Sequence, residues 1–274
     1  MIDRDLIKRA LAEDLQGGED ITSVATVSGS EKVVADFVAR KNGVVAGIDM
    51  ARTVLEEVGL TDIAVLVQDG AAVNAGDIVM TVRGDTRAIL LAERTALNFL
   101  GHLSGIATLT RTWVDAIAGT SCKIRDTRKT TPGMRLLEKY AVRMGGGTNH
   151  RMSLSDAALI KDNHIAAAGG VAQAFSKVRA KYPHSEIEIE VDTLEQLREV
   201  LPLNPDLVLL DNMTPAQCAE AVAIVNGATQ LEASGGISLE NAKEYAATGV
   251  NYLAIGALTH SAPVFDIGLD LRAE

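Results

Sequence analysis

The stretch EIEIEVDTLEQLREVLPLNPDLVLLDNMTPAQ, residues 186–217, decides the fold because it contains two strand candidates that are each followed by a helix start. The strand candidates, at 186–190 and 207–210, have the alternating or continuous apolar residues of buried strands. Thr193 with Gln196, and Thr214 with Gln217, then form the pattern of a capping box, and the second box has proline at the first helical position. Strands that alternate with capped helices predict parallel β/α units.

The same alternation extends on both sides of this stretch. Four further strand candidates have a similar character, and they lie at residues 122–126, 157–160, 230–233 and 252–255. Six such units are fewer than the eight of a closed β/α barrel. We therefore predict an α/β protein in which residues 107–263 form an incomplete, open β/α barrel that carries the active site.

The N-terminal part has a different pattern. Its short strand-like runs lie at residues 33–39, 63–67 and 78–82. A helical pattern follows over residues 86–118, and because Gly101 and Gly105 interrupt it, a break into two helices stays open. We predict an N-terminal α+β sandwich domain over residues 1–106, with the C-terminal tail, residues 264–274, packed back on it.

Composition and charge argue against several classes of protein. Of the 274 residues, 47% are hydrophobic and 23% are charged, which predicts a globular chain. A formal charge of -10 disfavours nucleic acid and anionic membranes as partners. The segment MIDRDLIKRALAEDL predicts a charged amphipathic helix and not a signal peptide, and no apolar run approaches the roughly 18 residues of a membrane span. With only Cys122 and Cys218, and no CxxC spacing, we expect a cytoplasmic protein with reduced thiols.

Positive charge is concentrated in one segment of this acidic chain. Residues 123–161 contain nine cations and three anions, set among glycines, apolar strand residues and a proline turn. A solvated basic face is the simpler interpretation of a charge run, but this setting favours a pocket for anions.

Polar residues follow every strand candidate at its carboxyl end, where β/α barrels place the active site. In chain order they are Thr127-Arg128-Lys129-Thr130, Lys161-Asp162-Asn163-His164, Glu190 with Asp192, Asp211-Asn212, Ser234-Gly235-Gly236 and Gly256-Ala257. The strand interiors are largely apolar, so this regular placement predicts an active site.

The last two strand ends predict a phosphate site. Ser234, Gly235 and Gly236 precede a helix that we expect to begin near Ser238, and Gly256 follows the next strand. Glycine lets backbone N–H groups approach a phosphate, and a helix N-terminus favours its charge. Tight turns without a ligand are the alternative.

The other strand ends offer carboxylates and cations. Glu190 and Asp211 are suited to coordinating Mg²⁺ beside phosphates or to stabilising a cationic, oxocarbenium-like transition state, although a cap or salt bridge is the simpler role. Arg128, Arg151 and His150 fit the recognition of a planar carboxylate.

These residues lie in segments that, taken together, resemble the quinolinate phosphoribosyltransferase family, also called carboxylating nicotinate-nucleotide pyrophosphorylases. The resemblance extends over essentially the whole chain. The matching segments are EDL at 13–15, GEDIT at 18–22, ERTALN at 93–98, GHLSG at 101–105, DTRKT at 126–130, KYAVR at 139–143, GGGTNHR at 145–151, LIKDNH at 159–164, EIEVD at 188–192, LLDN at 209–212, SGG at 234–236 and GALTH at 256–260.

The resemblance implies a reaction and an assembly. Members of the family join quinolinate, a pyridine dicarboxylate, to phosphoribosyl pyrophosphate in NAD biosynthesis. They release nicotinate mononucleotide, pyrophosphate and CO₂, and they require Mg²⁺. Arg94 would reach into the site of a partner subunit, which implies a homodimer or a larger assembly of dimers.

The resemblance also implies roles for the site residues. The quinolinate carboxylates would contact Arg128, His150, Arg151 and Lys161. Catalysis would fall to Lys129, close to both substrates beside Thr127, and to Glu190 and Asp211, which face the ribose and the metal. The 5-phosphate would lie against Ser234, Gly235, Gly236 and Gly256, with His260 nearby.

Three other functions fit parts of the sequence. A paralogue associated with molybdate transport shares the fold but would lack part of the dicarboxylate pocket. An aldolase would use Lys161 as a Schiff base, although its many cationic neighbours favour electrostatic contact with an anion. A sensor of a phosphorylated ligand would use a degenerate barrel without charges at its strand ends, whereas those charges are present here.

Overall fold

The computed structural model describes residues 3–29 and 31–272, and the chain divides into two compact units. Unit 1 takes its residues from Met1–Arg111, Leu136–Gly146 and Ser261–Glu274, and unit 2 from Thr112–Arg135 and Gly147–His260. This division differs from the predicted domain ranges chiefly because residues 136–146 belong to unit 1. Within the part of the chain that the structure describes, no helix combines the length and apolar character needed to cross a membrane.

Unit 1 combines a four-stranded antiparallel sheet with helices. Its elements are α1 (Arg4–Leu15), α2 (Ile21–Thr26), β1 (Lys32–Ala39), β2 (Gly43–Val44), α3 (Ile48–Glu57), β3 (Asp62–Val65), β4 (Ala72–Val73), β5 (Ile78–Asp85), α4 (Thr86–Ala116) as far as Arg111, α5 (Arg135–Met144) from Leu136 onward, and the last strand of the chain, β12 (Ile267–Arg272). The predicted N-terminal helix is α1, and residues 1 and 2 lie outside the described residues. The strand order is β12-β1-β5-β3, and β2 pairs separately with β4.

Strand β1, one of the two interior strands of the unit 1 sheet, is buried from Val34 to Ala39. The buried residues include the carboxylate of Asp36. The Asp36 carboxylate accepts hydrogen bonds from Thr81 Oγ1 (2.6 Å) on β5 and from Arg272 Nε (2.7 Å) on β12. A buried carboxylate must be hydrogen-bonded, so this pair of contacts ties the two neighbouring strands to β1. The C-terminal tail therefore contributes a strand to the N-terminal sheet; residues 273 and 274 lie outside the described residues.

The long helix α4 is continuous, so the break considered at Gly101 and Gly105 does not occur. Both glycines instead let the C-terminal segment approach the helix. A Cβ at Gly105 would lie 2.2 Å from Pro263 O, and one at Gly101 would lie 3.0 Å from Phe265 O. Phe265 N also donates to Gly101 O (2.9 Å), so the absent side chains are replaced by direct backbone contact.

Unit 2 contains the six-stranded parallel sheet. Its elements are β6 (Lys123–Arg125), β7 (Ala158–Ile160), α6 (Asp162–Ala168), α7 (Val171–Lys181), β8 (Ile187–Val191), α8 (Leu194–Val200), a 3₁₀ turn (Leu201–Leu203), β9 (Leu207–Asp211), α9 (Pro215–Val225), β10 (Gln230–Ser234), α10 (Ala242–Ala247), β11 (Tyr252–Ala254) and α11 (Ala257–His260). The strand order is β6-β11-β10-β9-β8-β7, with β6 and β7 at the two ends. The predictions of an open β/α barrel and of a separate N-terminal α+β unit are confirmed.

Both capping boxes form as predicted, at the starts of α8 and α9. The expectation of a helix beginning near Ser238 is wrong, because α10 begins at Ala242. The side chain of Asn241 accepts from Ser238 N (2.8 Å) and donates to Gly236 O (3.1 Å). Together with the bonds from Asn241 N (3.3 Å) and Ala242 N (2.9 Å) to Ser238 O, these contacts form turns that lead from Ser238 into α10.

Candidate active site

A cavity of about 710 Å³ lies at the carboxyl ends of the unit 2 strands. Of the residues to which the family resemblance gives a role, all except Arg94 line it: Thr127, Arg128, Lys129, His150, Arg151, Lys161, Glu190, Asp211, Ser234, Gly235, Gly236, Gly256 and His260. Five other polar residues that follow the strand candidates do not line it: Thr130, Asp162, Asn163, His164 and Asp192. Arg94 is exposed on α4 in unit 1. One chain thus brings together thirteen of these residues without the arginine assigned to a partner subunit.

Two arginines form the basic side of the cavity. Arg151 donates from Nη1 to Ala157 O (2.8 Å), which fixes its guanidinium. Burial, followed by the charge of Arg128, lowers the pKa of Arg151. The Nε of Arg128 is buried and has no hydrogen-bond partner among the described residues. An anion bound here would relieve the repulsion between the two cations and satisfy this donor.

His150 is held through its backbone by Asp126 and through its ring by Arg151 and Glu188. The buried carboxylate of Asp126 accepts from His150 N (2.9 Å) and from the side chain of Asn149. The ring Nδ1 accepts from Arg151 N (2.8 Å), and Nε2 lies 2.6 Å from Glu188 Oε2. The imidazole of His150 is therefore fixed at both nitrogens, and only 7% of the residue is exposed.

Lys129 and His260 converge on Gly256. Thr259 Oγ1 donates to Lys129 O (2.8 Å), and Lys129 N donates to Thr127 Oγ1 (3.0 Å), so the loop after β6 is anchored to α11. A Cβ at Gly256 would lie 3.0 Å from Lys129 Cδ and 3.3 Å from His260 Nε2. The glycine makes room for both side chains beside exposed backbone.

The turn after β10 needs glycine for two reasons. Gly235 and Gly236 have positive φ angles of 84° and 66°, which L side chains rarely adopt. A Cβ at Gly235 would also lie 2.1 Å from Asn212 Oδ1, and Asn212 N donates to Ser234 O (2.8 Å). The turn therefore presents bare backbone to the cavity, as a phosphate site requires.

Carboxylates at the ends of β8 and β9 form the acidic side. Lys161 Nζ lies 3.2 Å from Glu190 Oε2, with the lysine side chain about half exposed, which suits a charged contact. Glu190, Asp192 and Asp211 each have an oxygen within 4.8 Å of the others. Burial, followed by the charges of Glu190 and Asp192, raises the pKa of Asp211. Clustered carboxylate oxygens are the ligands that a hard divalent cation prefers.

Three groups inside the barrel, Arg125, Glu188 and Glu232, were not predicted as site residues. Glu188 and Glu232 are 4% and 0% exposed, and Arg125 Nη1 donates to Glu232 Oε2 (2.9 Å). Glu188 and Glu232 lie two residues before Glu190 and Ser234, which line the cavity. Because residues i and i+2 of a strand point to the same face, the alternation EIE at 188–190 was a signal for a second interior carboxylate.

Two family models match the chain. The model described as Quinolinate phosphoribosyl transferase, N-terminal domain, matches residues 20–104, and the model described as the C-terminal domain of the same enzyme matches residues 106–270.

Curated relatives and solved structures agree with these matches. The chain is 55% identical over 274 residues to the carboxylating nicotinate-nucleotide pyrophosphorylase of Mycobacterium leprae (strain TN), covering 98% of this chain and 96% of that protein. It is 41% identical over 273 residues to a probable enzyme of the same name from Bacillus subtilis (strain 168), covering 98% and 93%. A crystal structure of a NadC deletion mutant has a TM-score of 0.95 at 38% identity, covering 99% and 96%. The nicotinate-nucleotide pyrophosphorylase of Ehrlichia chaffeensis has a TM-score of 0.94 at 40% identity, covering 98% of each chain.

An open β/α barrel with cations, carboxylates and a glycine cradle around one cavity defines an enzyme that acts on anionic, phosphorylated substrates. The chain belongs to the quinolinate phosphoribosyl transferase family, which confirms the resemblance seen in the sequence. Family membership makes it a pentosyltransferase and sets aside the Schiff-base aldolase and the non-enzymatic sensor. The named relatives are carboxylating pyrophosphorylases and not the molybdate-associated paralogue.

Proposed function

We propose that this protein transfers the phosphoribosyl group of phosphoribosyl pyrophosphate to quinolinate. One carboxylate leaves as CO₂, and the products are nicotinate mononucleotide and pyrophosphate, a step of NAD biosynthesis. The single observation that carries the proposal is the composition of the cavity, in which paired arginines, paired carboxylates and a glycine cradle face one space.

The basic side suits a planar dicarboxylate. Arg128 and Arg151 offer forked donors that match carboxylate geometry, and Lys161 adds a third charge. Binding the dicarboxylate here orients its ring nitrogen toward the ribose carbon. Such positioning replaces a bimolecular encounter and supplies much of the rate enhancement.

The glycine turns suit the 5-phosphate of the sugar donor. Gly235, Gly236 and Gly256 expose backbone next to the cavity, Lys129 places positive charge beside it, and the ring of His260 lies against Gly256. Holding the 5-phosphate here leaves the anomeric carbon near Glu190 and Asp211. Positive charge develops on this carbon as pyrophosphate departs, and the two carboxylates stabilise it.

We further propose that Mg²⁺ is required. Glu190 and Asp211, with Asp192 beside them, supply the oxygen ligands, and most of the coordination would come from substrate oxygens. Bound there, the ion would neutralise the charge of the departing pyrophosphate.

Loss of CO₂ needs little help from the protein. Once the ring nitrogen carries the ribose, it is positively charged and stabilises the electron pair that remains on the ring carbon when the C–C bond breaks. A proton then replaces CO₂ on that carbon. The role of the cavity is to keep the charged ring in place while this occurs.

The assembly and cellular location are proposed on separate grounds. A homodimer, or a larger assembly of dimers, follows if the exposed Arg94 enters the site of a partner subunit. A cytoplasmic location fits two buried, free cysteines, whose pKa values burial raises to about 12 for Cys122 and about 11 for Cys218.

The test is turnover of the purified protein with quinolinate, phosphoribosyl pyrophosphate and Mg²⁺, followed by absorbance, with nicotinate run in parallel. We expect quinolinate to give nicotinate mononucleotide, and a chelator to abolish the activity. The preference for quinolinate over nicotinate should be at least about a hundredfold, because nicotinate lacks one carboxylate and leaves cations of the pocket unpaired. A folded protein that forms no mononucleotide from quinolinate would overturn the proposal.

A further inference from the structure

A buried polar cluster borders the cavity, and of its three members His150 and Glu232 line the cavity whereas Glu188 does not. His150, Glu188 and Glu232 are 7%, 4% and 0% exposed, and each offers an atom within 4.8 Å of the others. Arg125 is bonded to Glu232 and stacks over Tyr252, with Cζ 4.4 Å from the ring centroid. Three charged or titratable side chains and an arginine thus share a nearly dry interior, where each unmet hydrogen bond is costly.

The hydrogen bonds of His150 determine its tautomer. Nδ1 accepts from the backbone N–H of Arg151 (2.8 Å), so Nδ1 carries no proton. The ring proton is therefore on Nε2, which faces Glu188 Oε2 at 2.6 Å. A protonated Nε2 cannot ligate a metal, so the cluster of His150, Glu188 and Glu232 is not a cation site in this arrangement.

Glu188 also acts on Arg151 directly. Among the influences on the pKa of Arg151, burial and Arg128 lower it, whereas the charge of Glu188 opposes them. Glu188 therefore acts on Arg151 in two ways. Its contact with the His150 ring is relayed to the backbone N–H of Arg151, and its charge acts on the guanidinium of Arg151. Glu188 does not line the cavity, so it acts on a bound ligand through residues that do, and its hydrogen-bonded path runs through His150 to Arg151.

We propose that Glu188 is a positioning residue, which holds His150 as the Nε2–H tautomer and thereby sets the backbone and guanidinium of Arg151 for recognition of the dicarboxylate. This inference rests on the proposed function. It distinguishes the two substrates, because the bonds from Glu188 through His150 lead to Arg151 on the basic side of the cavity. The turn of the 5-phosphate cradle is held instead by Asn212, whose N donates to Ser234 O and whose side chain packs on Gly235.

Two variants separate positioning from general packing. Glu188→Leu removes the acceptor at 2.6 Å and leaves Glu232 Oε1, at 3.8 Å, as the carboxylate oxygen that faces His150 Nε2. Glu188→Gln keeps an oxygen acceptor at the original position. In Glu188→Leu we expect the KM for quinolinate to rise about tenfold or more, with the KM for phosphoribosyl pyrophosphate within about twofold of the parent value. Glu188→Gln should restore most of the quinolinate affinity.

The tautomer itself is read from ¹⁵N NMR of histidine-labelled protein, with the His150 signal assigned by its loss in a His150→Gln variant. We expect Nε2–H for His150 in the parent and in Glu188→Gln. In Glu188→Leu, where loss of the contact at Nε2 lets the ring turn away from Arg151 N–H, we expect a mixture of tautomers. A proton on Nδ1 in the parent overturns the inference even if Glu188→Leu fails to fold. Equal increases of both Michaelis constants in a folded Glu188→Leu protein also overturn it. Failure of the parent to use quinolinate would overturn the proposed function, while the NMR result would still test the tautomer.

Discussion

The guanidinium of Arg128 has a buried Nε that lacks a hydrogen-bond partner among the described residues, and its charge lies near that of Arg151. Arg128→Lys keeps the charge but removes the planar fork. We expect the KM for quinolinate to rise about tenfold, since loss of one bidentate contact costs roughly 1.4 kcal/mol. Steady-state kinetics with each substrate varied in turn would measure this. Arg179→Lys is the control: Arg179 lies on α7, is paired with Asp206 and does not line the cavity, so both Michaelis constants should stay unchanged.

Gly235 has both a positive φ and a side-chain neighbour, Asn212, where a Cβ would be. We expect Gly235→Ala to raise the KM for phosphoribosyl pyrophosphate about tenfold or more, because the cradle must open to admit the methyl group. Gly59→Ala is a matched control, since Gly59 has a φ of 89° and nothing within 4 Å of an added Cβ. It should lose only about 1 kcal/mol of stability and no substrate affinity. Parallel kinetic effects in both variants would show that backbone strain alone is responsible.

Strands and helices of unit 2 were predictable because their signals are local. The capping boxes at Thr193 and Thr214 marked two helix starts, and polar residues after each strand marked the cavity. The start of α10 was missed because Asn241 bonds to Ser238 and Gly236, an effect of one side chain on a turn.

Glu188 and Glu232 were missed for a different reason. The alternation at 188–190 indicates that Glu188 faces the interior with Glu190. How far below the mouth of the barrel such a carboxylate lies depends on the stagger between strands, which strand spacing along the sequence does not encode. The grouping of residues 136–146 with unit 1 was likewise invisible, because it depends on contacts between segments far apart in the chain.

In helix α4 we expect a glycine-to-alanine substitution to lower stability, the opposite of its usual effect in a helix. Glycine to alanine inside a helix ordinarily stabilises it by about 1 kcal/mol. At Gly105 the new methyl group would meet Pro263 O, so we expect Gly105→Ala to destabilise the protein by about 1–3 kcal/mol and to lower its Tm by several degrees. Gly101→Ala, with a looser contact, should lose less. Thermal unfolding monitored by circular dichroism would measure the Tm of both variants. A Gly105→Ala protein as stable as the parent would contradict the close packing of Gly105 against Pro263 O.

For the whole molecule, the proposed dimer predicts complementation. Arg94→Ala and Lys129→Ala should each be inactive if the arginine of one subunit completes the site of the other. A mixture of the two, unfolded and refolded together, should regain activity, because a mixed dimer contains one site with both residues intact. Mixing Lys129→Ala with Glu190→Ala is the control, since both residues line the same cavity of one chain and no intact site can form. Equal outcomes in the two mixtures would rule out action of Arg94 across subunits.

The pairing of β12 with β1 also bears on the order of events during synthesis. Strand β1 ends at Ala39, yet its neighbour begins at Ile267, so a ribosome must produce all six strands of the parallel sheet before that partner exists. Unit 2 can therefore form its sheet first, and until β12 is synthesised one edge of β1 stays unpaired and accessible to solvent and to other chains. The nascent protein is most exposed to mispairing at its N-terminal sheet during this interval.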